Sequence, residues 1–267
     1  MTDLVRRATA DDYATHCELF RELGVDDPVP TEERFARDLA PKILFCERDG
    51  RAIGYVAHYV LGRDGYIGHL VVAPHARGAR IGEALMHAAA ADLRAWGAGE
   101  RWHLNVKANN ASAIRLYERV GMRPAYPSVS LRLAWAAADR MPIAAGVTAS
   151  PVVPEDDRDL ERALGVLDGQ LAVGRGRPGR VLLQLRGAHR EPAGVACFDP
   201  AFPGAFPFAV ARPALAGALL RAIRPHTRPG DTQVNLVIEH HDELVGALVA
   251  AGAEVRVRLL HYIGPLP

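Results

Sequence analysis

The chain has 267 residues, a formal charge of +1 and 49% hydrophobic residues, enough to bury one large core or two of about 130 residues each. Its near-neutral balance argues against nucleic-acid binding, which calls for a basic excess, and no stretch approaches the ~18 apolar residues of a membrane span. The N-terminus lacks a charged-then-apolar leader pattern. The three cysteines, Cys17, Cys46 and Cys197, form no C-x-x-C pair, so the reading is a cytoplasmic protein without a disulfide framework or a metal site.

The predicted elements begin with a short strand at "LVRR". A cap at Thr9 or Asp11 then starts a helix carrying Tyr13, Cys17 and Phe20, with Leu19 and Leu23 alongside. A second helix holds Phe35 and Leu39. "KILFCERDGRAIGYVAHYVL" reads as two strands joined at Asp49-Gly50, and a turn at Asp64-Gly65 leads into a strand over 66–73. Residues 70–86, "LVVAPHARGARIGEALM", then cross Pro74 and a turn with two glycines and two arginines, and enter a helix at once. Gly78 and Gly82 carry no Cβ, so the backbone there comes close to whatever it faces. A helix starting near Gly82 aims unpaired N–H groups and the positive end of its dipole at the same spot. Arg77 and Arg80 add positive charge, and together these features describe an anion cradle suited to phosphate. It is neither a Walker loop nor a dinucleotide fingerprint: no Lys-Ser or Lys-Thr follows, and the glycines stand at 78 and 82 only.

The helix after the cradle is expected to bury Leu85, Ala89, Leu93 and Trp96 and to stop at Gly97. A strand over 101–107 precedes the helix of "LNVKANNASAIRLYERVGM" (104–122). There Asn110 supplies the N-cap, Gly121 a left-handed end, and Ile114, Tyr117 and Gly121 share a face. "SVSLRLAW" closes the sheet.

Two of these stretches resemble the GNAT N-acetyltransferase superfamily. Arg77-Gly78-Ala79-Arg80-Ile81-Gly82 is similar to its acetyl-CoA loop, [QR]-x-x-G-x-[GA], with Arg80 replacing the expected glycine. Asn110, Ala113, Leu116, Tyr117, Gly121 and Met122 match its N-x-x-A-x-x-L-Y-x-x-x-G-[FM] pattern without a gap. The order β-α-α-β-β-β-α-β-α-β over residues 1–135 is also the family's order. The resemblance implies an α+β fold of layered α/β type: two GNAT-like domains, each a mixed, mostly antiparallel splayed sheet flanked by helices.

It further implies an N-acetyltransferase that moves an acetyl group from acetyl-CoA to a primary amine by direct attack, with no metal. By that resemblance Leu70, Val71 and Val72 pair with the pantetheine arm, and a backbone N–H there polarises the thioester carbonyl. Arg77, Gly78, Ala79, Arg80, Ile81, Gly82 and Glu83 hold the pyrophosphate, with the Arg80 side chain pointing outward as an added cation. Asn110 lies close to the arm, and Tyr117 stands beside the sulfur as general acid, since a phenol of pKa about 10 keeps its proton at neutral pH. Family members often place a carboxylate on the strand before the loop, where this chain has Gly68 and His69. His69 is therefore the candidate base, with His58, His103 and Tyr59 behind it. A lysine-like amine of pKa about 10.4 costs roughly 4.6 kcal/mol to deprotonate at pH 7, an α-amine near 7.8 only about 1, which favours small amines or α-amines. The acceptor is a small-molecule or peptide amine, and a homodimer stays open. So do two other readings, a non-catalytic acyl-CoA-binding or regulatory module and an enzyme using another acyl-CoA donor. Mere binding has no need of the acid at Tyr117.

Residues 136–150 are Ala-rich and read as a linker between a catalytic N-terminal domain, 1–135, and a degenerate C-terminal GNAT-like domain, 151–267. "VVPEDDRDLERALGVL" echoes the first helix with Leu160, Leu164 and Leu167, and "RVLLQLRGAHREPAGVACF" echoes the hairpin. "LVIEHHDELVGALVAAGA" aligns with the Tyr117 helix when Gly252 is set opposite Gly121. Asn110 then meets His241 and Tyr117 meets Leu248. "FAVARPALAGALL" lacks the arginine-glycine turn, so the second copy is expected to keep the fold without ligand or chemistry. "GRGRPGR" (174–180) reads as a solvated loop, the His240-His241 pair as no metal site, and "FDPAFPGAFPF" (198–208) as a lid over the first domain's acceptor cleft or a hairpin turn.

Overall fold

The computed structural model describes residues 3–24 and 28–267. The chain divides into two compact units, residues 1–125 with 261–267, and residues 126–260.

In the first unit β1 (Leu4–Arg7), β2 (Ile43–Arg48), β3 (Arg51–Leu61), β4 (Asp64–Val72) and β5 (Arg101–Lys107) lie side by side in that order. Pairing is antiparallel from β1 to β4 and parallel between β4 and β5. Period-two alternation splits β3 between two faces. Tyr55 packs with Phe45, Val71, Leu19 and Phe35, under α1 (Tyr13–Arg21) and α2 (Glu32–Arg34, widening into a π turn over Phe35–Leu39). Its neighbour Gly54 faces α3 (Ile81–Ala95) on the other side, where a Cβ would meet Leu85. Asp49 and Gly50 make the expected hairpin turn with φ of 52° and 73°, as a type I′ turn requires. The next reversal falls at Gly62–Arg63 rather than Asp64-Gly65. Gly65 is a packing position inside β4, where a Cβ would come within 2.7 Å of Leu93. Trp96 is 39% exposed instead of buried, because it follows the last turn of α3 and lies flat on His58, with ring centroids 4.9 Å apart.

The strand expected to close this unit does not stay in it. Residues 126–134 of β6 (Arg123–Ala134) belong to the second unit. In the first unit the place beside β5 goes to the end of β12 (Glu254–Pro265), residues 261–265. The chain therefore separates at 125/126 and 260/261, not at 135 and 151.

In the second unit the strand order is β7 (Thr148–Pro151), β8 (Val181–Arg186), β9 (Pro192–Asp199), β10 (Gly204–Val210), β11 (Gln233–Glu239), then β6. Its core gathers Leu131, Leu133, Phe198, Phe208, Leu219, Leu236 and Leu248. The expected linker is partly structured here: α5 (Trp135–Ala138) buries Trp135, Ala137 and Ala138. α6 (Asp157–Leu164) buries Leu160, whereas Leu167 lies beyond the helix end. Residues 174–180 are no free loop either. α7 (Gln170–Arg175) runs into them, Arg175 forks onto Asp157 and Arg180 pairs with Asp199. Residues 199–203 turn between β9 and β10, with Phe198 and Phe208 in the core. α8 (Ala216–Ile223) and α9 (Asp242–Ala250) complete this unit.

Candidate functional site

β4 carries two irregularities that open a place for chemistry. Its parallel pairing with β5 ends at Ile67 with Leu104, although β4 runs on to Val72 and β5 to Lys107. Beyond that point Leu70–Val72 stay paired only to Gly54–Val56 of β3. The register on that side jumps between Ala57–His69 and His58–Ile67, leaving Gly68 as a bulged, exposed residue. Bulges of this kind re-aim side chains and main-chain groups beside active sites.

The cradle follows directly. A 3-10 turn over Pro74–Ala76 leads to Arg77, then Gly78 at φ 83° with open space around it, then Arg80 at φ 60° as the residue ahead of α3. Arg80 thus adopts the left-handed backbone that a glycine would hold there. The first bond drawn into the helix from outside is Ala84 N–H to the Arg80 carbonyl, so the N–H groups before it face out of the helix end. Arg77 is not a spare cation. Its Nε donates to the Val72 carbonyl (3.1 Å) and its Nη2 pairs with Glu22 at 3.0 Å. Arg80 is exposed and makes no ion pair among the described residues, so it is the charge left for a ligand.

α4 (Ala111–Arg119) stands against this end of α3. A Cβ at Gly82 would lie 2.9 Å from Leu116, 3.8 Å from Val72 and 3.9 Å from Leu70. Glycine at 82 is what lets strand edge, cradle and α4 converge, and Glu83 reaches Arg119 at 3.8 Å. The Asn110 side chain accepts from Ala113 N–H (3.1 Å) as the N-cap, and Gly121 closes the helix at φ 88°. Tyr117 is buried, its ring 6.3 Å from that of Tyr262. Burial pushes its phenol well above the ordinary tyrosine range.

The candidate bases separate. His69 projects to the α1 face, edge-on to Phe20 and with Nδ1 3.4 Å from the Tyr55 hydroxyl. Tyr59 borders Gly68 and stacks on Tyr66. His58 does not join them: it is buried under α3 with Nε2 2.5 Å from Asp92. Burial, opposed by Asp92, lowers its pKa. His103 sits in a buried polar row with Asp64, His261, Asn105 and Tyr66. Sequence reading missed that row because its partners stand up to 158 residues apart.

The second unit lacks the cradle. There the 3-10 turn Pro213–Leu215 runs straight into α8, with no counterpart of Arg77–Arg80. α9 and β12 nevertheless stand 131 residues after α4 and β6. His241 accepts from Leu244 N–H as the cap of α9, Leu248, 131 residues after Tyr117, is buried, and Gly252 has φ 103°. His240 packs on Tyr126. Among the described residues no group of three or more His, Cys, Asp or Glu could hold a metal ion.

Residues 9–122, which contain the cradle and most of the splayed sheet, match the model of the acetyltransferase (GNAT) family. The whole chain also shares its fold with solved structures. A GCN5-related N-acetyltransferase from Sphaerobacter thermophilus is 20% identical with a TM-score of 0.69, covering 99% of this chain and 96% of that one. A putative acetyltransferase from Pyrococcus horikoshii is 15% identical with a TM-score of 0.70, covering 98% and 89%. A tandem GNAT protein from the clavulanic acid biosynthesis pathway is 16% identical with a TM-score of 0.63, covering 100% and 99%. No curated protein sequence matches the chain. No described helix is long and apolar enough to cross a membrane.

Proposed function

We propose that the first unit is an N-acetyltransferase site that transfers an acetyl group from acetyl-CoA to a primary amine by direct attack. One observation supports this above the others: the β4 edge that parts from β5, the open α3 N-terminus behind Gly78 and Arg80, and the Tyr117 helix converge around Gly82. The residues present suit such a co-substrate. Outward-facing N–H groups and the uncommitted Arg80 would take the pyrophosphate, and the unpaired edge of Leu70–Val72 would take the pantetheine arm. Main-chain N–H groups by the Gly68 bulge would stabilise charge developing on the thioester oxygen.

Tyr117 would donate its proton to the departing sulfur. Its burial keeps the phenol protonated until thiolate charge develops in the same dry surroundings, where the sulfur's own basicity also rises. His69, one residue beyond the bulge, would accept the amine proton. We further propose that the second unit is a degenerate copy that keeps the cap, helix and strand at a 131-residue offset without the cradle or the tyrosine. The test is thiol release from acetyl-CoA across an amine panel, with Tyr117→Phe beside it. The expected result is amine-dependent release, a roughly 100-fold lower kcat in the variant and nearly unchanged acetyl-CoA affinity. Tight CoA binding without release from any amine would favour a binding module, and equal rates in both proteins would remove the acid.

A further inference from the structure

Beyond their last parallel pair, Ile67 with Leu104, β4 runs on to Val72 and β5 to Lys107 as two separate arms. Side chains of β5 alternate between the faces of the sheet, and Lys107 stands on the face that α1 covers. Its Nζ donates to the Leu23 carbonyl at 3.1 Å and to the Gly24 carbonyl at 2.7 Å. These residues follow the last turn of α1, where carbonyls lack partners within the helix, and Gly24 leaves the helix at φ 56°. A cation suits that end of a helix, by hydrogen bonding and by the dipole. Glu22, one residue earlier, is held from the opposite arm. Arg77 Nη2 pairs with it at 3.0 Å while Arg77 Nε donates to the Val72 carbonyl at 3.1 Å. The single turn Glu22–Gly24 is therefore bonded to both arms, to β5 through Lys107 and to β4 through Arg77, and bridges the opening on that face.

Lys107 and Lys42 are the two lysines of a chain whose 32 basic residues are otherwise arginine. The difference matters at this point. An ammonium sends three N–H groups from one atom in tetrahedral directions, whereas a guanidinium spreads its donors in a plane. Leu23 and Gly24 use two of the three, and among the described residues no other group accepts from Lys107. The parallel register, carried past Ile67 and Leu104 and across the Gly68 bulge, sets Lys107 level with Leu70 and Val71. Those residues have no strand partner on the side that faces β5. The phosphate cradle comes later in the chain, after β4 ends at Val72 and the 3-10 turn begins at Pro74. The third donor of Lys107 thus stands at the level of the open strand edge and short of the cradle.

We propose that Lys107 is a further co-substrate-binding residue: it caps α1 with two N–H groups and gives the third to an amide carbonyl oxygen of the pantetheine arm lying along Leu70–Val72. The group recognised is the uncharged amide of the arm, not a phosphate. The end of α1 and the arm then share one ammonium. Because α1 also carries Phe20, edge-on to His69 with ring centroids 5.6 Å apart, that ammonium ties the bound co-substrate to the helix beside the candidate base. The proposal rests on the acetyltransferase reading for the identity of the ligand.

The test compares the full chain with its Lys107→Met variant in calorimetry against three probes: CoA, pantetheine, and ADP as the pyrophosphate end without the arm. The variant should bind CoA and pantetheine about ten-fold more weakly, as expected for one lost hydrogen bond from a charged donor, and ADP as well as the parent does. Equal affinity of the two proteins for CoA overturns the proposal. So does an equally large loss for ADP, which would put the ammonium on phosphate. 15N NMR of lysine Nζ in the unsubstituted protein gives a readout independent of how the variant folds, since the chain has only Lys42 and Lys107 to assign. Pantetheine should shift the Lys107 signal and slow exchange of its protons with water, leaving Lys42 unmoved, and ADP should move neither. A Lys107 signal unmoved at saturating CoA overturns the proposal. Failure of CoA to bind the parent would instead remove the acetyltransferase reading, and this contact with it.

Discussion

Arg80→Gly separates two contributions that one residue makes with opposite sign. Arg80 has φ 60° and ψ 16°, a left-handed backbone that costs a side-chain-bearing residue roughly 1–2 kcal/mol. Glycine removes that strain and restores about 0.5–1 kcal/mol of unfolded-state entropy against it, so the variant should be more stable by about 0.5–1 kcal/mol. It should also bind acetyl-CoA less well. Arg77 is committed to Glu22 and the Val72 carbonyl, so Arg80 is the cation left at the cradle, and losing one partly exposed charge pair costs about 1 kcal/mol, roughly five-fold in affinity. Urea unfolding reads the first effect and calorimetry with CoA at low and high salt the second. The affinity gap between the proteins should shrink with salt, because an exposed pair is screened. Arg80→Lys, which keeps charge and strain together, should lie near the parent in both assays. If Arg80→Gly is less stable than the parent, or binds CoA equally at low salt, the reasoning about this residue fails.

Gly54→Ala puts a Cβ 2.6 Å from the Val71 carbonyl oxygen and 3.3 Å from Val72 Cα, contacts that only movement of β4 relieves. A loss of about 2–3 kcal/mol in urea unfolding is expected, and an unaltered midpoint would show that the β3–β4 approach is not tight. His16 is buried, Nδ1 has no hydrogen-bond partner, and burial, with the nearby His69, lowers its pKa to about 4. The unfolded chain takes that proton first, so the contribution is full above pH ~6.5 and is lost as pH falls towards 4, at most about 3 kcal/mol. His16→Phe should flatten that part of the stability profile, and a profile with undiminished slope would contradict the assignment. Asp12 is held at about pKa 2 chiefly by its hydrogen bond from Arg6. Its contribution is present above pH ~4 and disappears between pH 4 and 2. Asp12→Asn should cost about 1–2 kcal/mol at pH 7 and less than about 0.5 kcal/mol at pH 2, measured by denaturant titration at both.

Local chemistry was legible in the letters. Asn110 and Gly121 bound α4 because a cap and a left-handed end act over three or four residues, and Asp49-Gly50 turns the first hairpin for the same reason. The cradle, too, lies in one stretch from Pro74 to Gly82, and its match to a family pattern needs no distant partner. Gly65 misled because a glycine that turns and a glycine that lets Leu93 approach look alike in one dimension. Arg77 looked like a free cation for want of any sign of Glu22, 55 residues away.

Tertiary structure alone decided which strand completes the first unit and which histidine faces His103. Residues 261–267 join residues 1–125, while 126–134 join the other unit. The reason is physical: β6 and β12 are twelve-residue strands of closely similar pattern, so hydrophobic periodicity does not say which sheet edge each will cover. That choice is made by pairing between segments far apart in the chain. It brings His261 within 3.0 Å of both His103 and Asn105, a contact that no reading of neighbouring residues contains.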